Sequence, residues 1–261
     1  MEKWGDKPYH SLDYENKKRF GEKVYKISLA GGTTCPNRDG TLGTRGCCFC
    51  SGSGSGDFAA TKGSITEQIE EAIARVSRYK NAGHHFTAYF QSFTATYAPI
   101  ETLRAAWEEA MTHESVVTLA IATRPDCLGD DVLSLLADCC RKIPVTVELG
   151  LQTIHPDTIR YIRRGYPNSV YETAVKNLQN IGVNVVTHVI AGLPGETKEN
   201  FIDTVRYVAD IGSDGIKLQL LHVLKGTDLA LDYENKMFRT LTPDEYLDYI
   251  TEALSILPPD M

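Results

Sequence analysis

Apolar residues follow two different periods along most of this chain. Short apolar runs such as VVTLAIA at 116–122 lie between polar segments, a pattern typical of strands buried on both faces. Longer segments repeat apolar residues at helical spacing, as Ile65, Ile69 and Ile73 do after the capping box Ser64-x-x-Glu67. The alternation predicts βα units and therefore a parallel sheet.

Six strands and at least six helices are predicted. The strands are Lys23–Leu29, Phe86–Gln91, Val116–Thr123, Val145–Leu151, Val183–Ala191 and Gly215–Val223. The helices are Ser64–Lys80, Ile100–Met111, Val132–Cys140, Ser169–Ile181, Lys198–Ile211 and one from about Pro243. Six units are fewer than the eight of a closed α/β barrel, and ligands of such folds bind at the carboxyl ends of the strands.

Composition narrows the class of protein. The 261 residues are 42% hydrophobic and can form one substantial core, and the net charge of −7 argues against blanket binding of nucleic acid. The first ten residues lack the apolar segment of a signal peptide, and no run approaches membrane-spanning length. We therefore expect a cytoplasmic protein with no membrane partner.

The first 22 residues interleave basic and aromatic side chains. Lys17, Lys18 and Arg19 lie near Tyr14 and Phe20. Such a pattern suits RNA contact, but an extension packed by its own aromatic residues is the favoured interpretation. The predicted organisation is an N-terminal extension at 1–22, a barrel at 23–226 and a C-terminal helical segment at 227–261.

The segment Thr34–Phe58 is rich in glycine and poor in apolar residues, yet it contains a Cys35-x11-Cys47-x2-Cys50 pattern. Soft thiolates gathered in a loop select zinc or iron–sulfur. Three ligands would leave one position of a metal centre open, whereas a structural zinc site would also use Cys48. Disulfides are disfavoured because no secretory signal is present.

The motifs CPNRDGT, GC-x-FC and SGSGDF resemble those of the radical S-adenosylmethionine (SAM) enzymes. They match a subfamily close to the class that contains the Elongator catalytic subunit, which includes a bacterial enzyme implicated in tRNA wobble-uridine modification. The resemblance runs from about Trp4 to the C-terminus. Family members generally continue for some tens of residues more, which is consistent with a truncated C-terminal segment.

The resemblance implies a fold and a chemistry. It implies a (βα)6 partial TIM barrel with a [4Fe-4S] cluster on Cys35, Cys47 and Cys50, whose open iron binds the amino and carboxylate groups of SAM. Reductive cleavage would give methionine and a 5′-deoxyadenosyl radical. The implied partners are SAM, a tRNA substrate and an electron donor such as flavodoxin or ferredoxin. The alternatives are a small metabolite or peptide as substrate, and, from another class, a zinc-stabilised RNA-binding module.

The resemblance also assigns SAM contacts at the strand ends. Phe49 precedes the last cysteine, Gln91 and Ser92 stand where relatives hold the SAM amino group, and Thr123 or Glu148 would contact the ribose. Gln152 is assigned to polar groups of SAM, and Arg164 to its carboxylate, since an Arg fork suits a carboxylate.

Two further positions are each open to two interpretations. His188 is either a ribose contact or a satisfied core residue, and Leu224 offers either backbone contacts to adenine or core packing. Arg160 and Arg163 are expected on a solvated helix face. If tRNA is the substrate, Lys17, Lys18, Arg19, Arg160 and Arg163 are the candidate phosphate contacts around the barrel mouth.

Overall fold

The computed structural model describes residues 4–54, 56–60 and 62–261. Its sheet has six strands: β1 (Tyr25–Leu29), β2 (Phe86–Phe90), β3 (Val116–Thr123), β4 (Val145–Gln152), β5 (Asn184–Ala191) and β6 (Gly215–Leu220). Each strand pairs in parallel with the next one along the chain, so β1 and β6 form the two edges. The sheet curls into an open half-barrel, which confirms the predicted α/β partial barrel.

The helices of the described residues are α1 (Leu12–Phe20), α2 (Ile65–Tyr79), α3 (Ile100–Thr112), α4 (Asp130–Cys140), α5 (Pro156–Tyr161), α6 (Asn168–Asn180), α7 (Lys198–Ile211), α8 (Asp228–Glu234) and α9 (Pro243–Ile256). Of these, α2, α3, α4, α6 and α7 pack against the strands and cover the outside of the sheet. The predicted capping box of α2 is present, since Ser64 Oγ accepts from the Glu67 N–H at 3.2 Å and Glu67 Oε2 accepts from the Ser64 N–H at 2.8 Å. Three short helices, α1, α5 and α8, were not predicted.

The strands present different residues to their two faces because side chains alternate along a strand. One face packs against the helices, with Phe90, Leu119 and Val147 fully buried beside Trp107 and Phe201. The inner face of the half-barrel is polar instead. Its residues include Lys26, Thr87, Tyr89, Glu148, His188 and Lys217, several of which meet one another across the barrel.

The N-terminal segment lies at the amino ends of the strands. Glu22 Oε1 accepts from the backbone N–H groups of His84 and His85, which precede β2, at 2.9 and 3.0 Å. Trp4 stacks on His10 with ring centroids 4.3 Å apart, which confirms the predicted aromatic packing. Because the cysteine segment follows the carboxyl end of β1, α1 and its basic residues lie at the end opposite the mouth. The expectation that Lys17, Lys18 and Arg19 flank the mouth is wrong.

The sixth strand is shorter than predicted. It was expected to run to Val223 but ends at Leu220, because its partner β5 ends at Ala191, which pairs with Leu220. Leu221 makes one more bond, from its N–H to the Ala191 carbonyl at 3.0 Å, and leaves the sheet there. Within the described ranges, no helix is both long and apolar enough to span a membrane.

Candidate active site

A cavity of about 310 Å³ opens at the carboxyl ends of the strands. Its walls contain nearly all the site residues expected from the sequence: Cys35, Cys47, Phe49, Cys50, Gln91, Thr123, Glu148, Gln152, Arg164, His188 and Leu224. Ser92 is the exception, because it is buried behind the wall. Its hydroxyl oxygen would lie 2.3 Å from a Cβ placed on Gly56, so it fills the space that this glycine leaves. The expected SAM contact from the Ser92 side chain is therefore corrected.

The three predicted cysteine ligands face this one cavity. Burial, followed by the neighbouring Cys50, raises the pKa of the Cys47 thiol to about 11. Backbone turns hold the loop, with the Cys50 N–H donating to the Cys47 carbonyl at 3.1 Å and the Arg38 N–H to the Cys35 carbonyl at 2.8 Å. The Arg38 guanidinium also donates to the carbonyls of Cys50 and Ser51 at 3.1 and 2.5 Å. Hydrogen bonds thus replace the apolar packing that this loop lacks.

Cys48 has a different environment. Its side chain is buried in a small apolar cluster with Ile162, Ile190, Leu193, Leu221 and Leu229, where burial raises the pKa of its thiol to about 12. It does not line the cavity that the other three cysteines share. In the part of the chain that the structure describes, no three Cys, His, Asp or Glu side chains are grouped as a single metal ion requires. The arrangement does not match a four-cysteine zinc site.

The residues around the cavity fit a three-ligand cluster with an adjacent polar ligand. Asn37 Nδ2 lies 3.4 Å from Cys47 Sγ, and hydrogen bonds to sulfur tune iron–sulfur clusters. Gln152 has a left-handed backbone with φ of 69°, and its buried Oε1 has no hydrogen-bond partner among the described residues. Leaving a buried acceptor unpaired costs about 1–3 kcal/mol, which a donor group on a bound ligand would offset.

Below the cysteines, Glu148 is the centre of a charged network on the inner face. Its side chain has no exposed area. Oε2 accepts from the Tyr89 hydroxyl at 2.8 Å and from His188 Nε2 at 2.5 Å, while Oε1 accepts from the Lys26 ammonium. Lys217 Nζ lies 3.6 Å from Oε2. The two lysines come from the two edge strands, so the network spans the open barrel.

Electrostatics fix the protonation of this network. Burial alone would raise the pKa of Glu148, but the His188 hydrogen bond and the charges of Lys26 and Lys217 outweigh it and hold the pKa well below its usual range. Burial lowers the pKa of His188, which favours the neutral ring. Because an ionised carboxylate only accepts, Nε2 carries the imidazole proton and Nδ1 is an acceptor.

Arg164 lines the cavity wall, but its guanidinium is fully engaged. It donates to the carbonyls of Leu151, Thr153 and Tyr166 and to Asn168 Oδ1, over distances of 2.7 to 3.1 Å. No guanidinium N–H of Arg164 remains to donate to a cofactor carboxylate, so the prediction of an ion pair between Arg164 and SAM is wrong. Two of its acceptors flank Gln152, and Arg164 therefore holds the turn in which Gln152 is strained.

Thr123, Arg160 and Arg163 each have partners within the chain, and of the three only Thr123 lines the cavity. Thr123 is buried and its Oγ1 lies 2.6 Å from Thr96 Oγ1. Arg160 is 71% exposed and pairs with Asp157, as expected of a solvated face. Arg163 does not lie on that face, because its side chain turns toward the cysteine loop and donates to the Gly46 carbonyl at 2.8 Å.

Sequence reasoning missed Tyr89, Lys26, Lys217 and Asn37, and it missed the contact of Arg163 with the cysteine loop. For the first three a signal existed, since each is a polar residue in a strand whose neighbours in sequence are apolar or buried. Asn37 lies within the CPNRDGT motif, so a signal existed for it too, whereas no local pattern distinguishes Arg163 from the surface residue Arg160.

Comparison with known proteins agrees with this geometry. The model of the Radical SAM superfamily matches residues 19–208, and that of the Radical_SAM C-terminal domain matches residues 213–261. The chain is 42% identical to the uncharacterized protein YtqA of Bacillus subtilis over 98% of this chain and 80% of that protein. It is 37% identical to protein YhcC of Escherichia coli over 94% of this chain and 78% of that protein.

More distant proteins share parts of the chain or its fold. The tRNA uridine(34) acetyltransferase of Methanocaldococcus jannaschii is 28% identical over 54% of this chain and 26% of that protein. The Elp3 structure of Methanocaldococcus infernus has a TM-score of 0.66 at 19% identity and covers 90% of this chain and 54% of that one. Coproporphyrinogen III oxidase of Escherichia coli has a TM-score of 0.58 at 16% identity, covering 89% and 51%.

The superfamily model spans most of the chain, and the relatives of more than 30% identity are covered over more than two thirds of their length. A family of enzymes that use SAM and an iron–sulfur cluster also accounts for three cysteines in one cavity. The chain belongs to the radical SAM superfamily.

Proposed function

We propose that Cys35, Cys47 and Cys50 hold a [4Fe-4S] cluster and that SAM occupies the cavity beside Gln152. The observation that carries this proposal is the placement of three thiols, and not Cys48, in one cavity with a buried unpaired acceptor. When bound, the cluster and SAM supply a 5′-deoxyadenosyl radical that takes hydrogen from a substrate. Membership of an enzyme family removes the zinc-stabilised RNA-binding module from consideration.

The chain's own residues bind and orient the cofactor. Gln152 Oε1 accepts from a donor group of SAM, and Arg164 keeps Gln152 in place through the carbonyls on either side of it. His188 Nδ1 accepts from a ribose hydroxyl, because Glu148 holds the proton on Nε2. Phe49, Gln91, Thr123 and Leu224 complete the wall around the cofactor. Glu148 contacts the cofactor only through His188, since its own oxygens are taken.

The proposed substrate is a wobble uridine of tRNA. Support comes from the motifs shared with the Elongator class and from the tRNA uridine(34) acetyltransferase among the relatives. An electron donor such as flavodoxin or ferredoxin would reduce the cluster. A half-barrel open along one side can also admit a large substrate more readily than a closed barrel.

Mass spectrometry of tRNA nucleosides tests this substrate. Cells that lack the gene should lose one modified wobble uridine and accumulate its precursor, and the full-length gene should restore it. A Cys47→Ala gene should not restore it, whereas a Cys140→Ala gene should, because Cys140 lies at the end of α4, away from the cavity. An unchanged wobble-uridine profile in the deletion would overturn the tRNA assignment and favour a small metabolite or peptide.

A further inference from the structure

We infer that Arg163 and Asp228 are positioning residues that clamp the Cys47–Cys50 part of the cysteine loop. The inference rests on the proposed cluster and adds to it a clamp made of Asn37, Arg163 and Asp228. It also gives Cys48 a role as the anchor of the loop. None of these four residues is a ligand in the proposed site.

Arg163 contacts the loop on three sides. Its Nε donates to the carbonyl of Gly46, the residue before Cys47, at 2.8 Å. Its own carbonyl accepts from Asn37 Nδ2 at 2.7 Å and lies 3.9 Å from Cys47 Sγ, while Asn37 Nδ2 is 3.4 Å from the same sulfur. One arginine thus connects the backbone before Cys47 with the surroundings of its sulfur.

The backbone of Arg163 is held in an unfavourable conformation. Its φ of 58° lies in the left-handed region, which costs a residue other than glycine about 1–2 kcal/mol. Such strain persists where the surrounding contacts determine the conformation, and it concentrates at functional sites. Gly46 is also left-handed, with φ of 74°, and a Cβ there would lie 2.9 Å from the Arg38 guanidinium. Side chains of two arginines therefore crowd around the residue that precedes Cys47.

The other half of the clamp comes from the C-terminal segment. Asp228, the first residue of α8, forms an ion pair with Arg163, with its Oδ2 2.6 Å from Arg163 Nη1 and 3.6 Å from Arg45 Nη1. The next residue, Leu229, donates its N–H to the Cys48 carbonyl at 3.0 Å, and the Cys48 N–H donates to the Ile162 carbonyl at 3.4 Å. Cys48 thus joins the loop to the 162–163 turn and to α8 through its backbone, while its side chain packs against both.

A surface ion pair would not have this effect, because exposed pairs contribute about 0–1 kcal/mol. Arg160 provides the comparison within the same segment. It is 71% exposed and pairs with Asp157, whereas Arg163 is 27% exposed and also bonds the cysteine loop. Groups that orient metal ligands commonly change metal affinity about 10- to 100-fold when they are removed.

Cluster loss to an iron chelator tests the clamp. In the anaerobically reconstituted protein, Arg163→Met and Asp228→Asn should release iron about 10- to 100-fold faster than the wild type. The matched variants Arg160→Met and Asp157→Asn should release it at the wild-type rate. Combining Arg163→Met with Asp228→Asn should add little to Arg163→Met alone, because that change already removes the contact between the two side chains.

A second readout needs no cluster. In the metal-free protein, Arg163→Met should speed amide hydrogen exchange at Cys48 and Leu229 but not in β3, which a general loss of stability would also affect. Should Arg163→Met fail to fold, Arg163→Lys keeps the charge beside Asp228 and lacks the Nε bond to Gly46, so it should show an intermediate rate of iron release. Release at the control rate from a variant with wild-type exchange would overturn the clamp. A wild-type protein that takes up no cluster would instead overturn the proposed function.

Discussion

Gln152 combines backbone strain with an unsatisfied polar atom. Its φ of 69° is unfavourable for a residue with a Cβ, and its buried Oε1 finds no partner in the described part of the chain. Both features lower the stability of the folded protein, and both are explained if the Gln152 side chain has to face a ligand. Arg164, which bonds the carbonyls on either side of Gln152, keeps the strained turn in place.

Replacing Gln152 should separate stability from binding. We expect Gln152→Gly to leave the free energy of unfolding unchanged or raise it by up to about 1 kcal/mol, because glycine adopts this φ without strain. The dissociation constant for SAM should rise about 5- to 10-fold with the loss of one hydrogen bond worth about 1–1.5 kcal/mol. Calorimetry and denaturant unfolding measure the two quantities.

Lys236 provides the control for this substitution. It also has a left-handed φ, of 59°, but it is exposed and lies outside the cavity. Lys236→Gly should therefore relieve backbone strain without changing SAM affinity. Equal SAM affinity in the Gln152→Gly variant and the wild type would remove Gln152 from the cofactor site.

Glu148 should make stability depend on pH in one direction. The pKa of Glu148 is depressed in the folded protein, so the unfolded chain binds the proton more readily. The carboxylate therefore stabilises the folded protein fully at pH values above its pKa in the unfolded chain, near 4.5. This stabilisation is lost progressively as the pH falls below 4.5. Glu148→Gln should cost roughly 3 kcal/mol near pH 7, because it leaves two lysines facing a neutral group.

Urea unfolding of the wild type and Glu148→Gln across pH 3 to 7 measures this effect. The difference in free energy of unfolding should shrink by up to about 1.4 kcal/mol per pH unit below 4.5, since only the wild type loses this carboxylate. Tyr89→Phe removes one uncharged donor and should reduce stability while keeping the pH dependence. A difference that stays constant down to pH 3 would show that Glu148 is not held ionised by its neighbours.

The elements were largely predictable from the sequence, because period and length distinguish buried strands from amphipathic helices. The run VVTLAIA gave β3, and the capping box placed the start of α2. The end of β6 was not predictable, since it depends on where β5 stops. α1 was missed although Ser11 caps its first turn and Gly21 ends it with φ of 77°, because its few apolar residues form no regular stripe.

The site was predictable where function depends on a local motif. Cys35, Cys47 and Cys50 lie in one short segment of the sequence, and all three line the cavity. The network around Glu148 joins side chains from five strands, and the clamp joins a loop to a turn more than a hundred residues away. Only the fold brings such groups together. The predicted contact of Arg164 with SAM was wrong for a different reason. The position of Arg164 in the motif does not reveal that its guanidinium N–H groups all donate to other groups of the chain.

On the scale of the whole molecule, different segments of the chain lie at the two ends of the barrel. The N-terminal segment contacts the amino end through Glu22, and the cysteine loop, α5 and the segment after β6 surround the other end. If tRNA is the substrate, it contacts this second end when a base reaches the cavity. Its basic residues include Arg45 in the cysteine loop, Arg160 in α5 and Lys225 after β6, all three exposed.

Salt dependence of tRNA binding should locate the surface that contacts RNA. If Arg45, Arg160 and Lys225 each neutralise one phosphate of a single-stranded loop, the log–log slope of affinity against salt should include about −2 from these three, at about −0.7 per contact. Replacing each by Gln should weaken binding and flatten the slope by about 0.7. Replacing Lys17, Lys18 and Arg19 should leave the slope unchanged, because α1 lies at the amino ends of the strands, away from the cavity. Fluorescence anisotropy between low and physiological salt gives these slopes, and a loss confined to the α1 variants would place the RNA at the opposite end of the barrel.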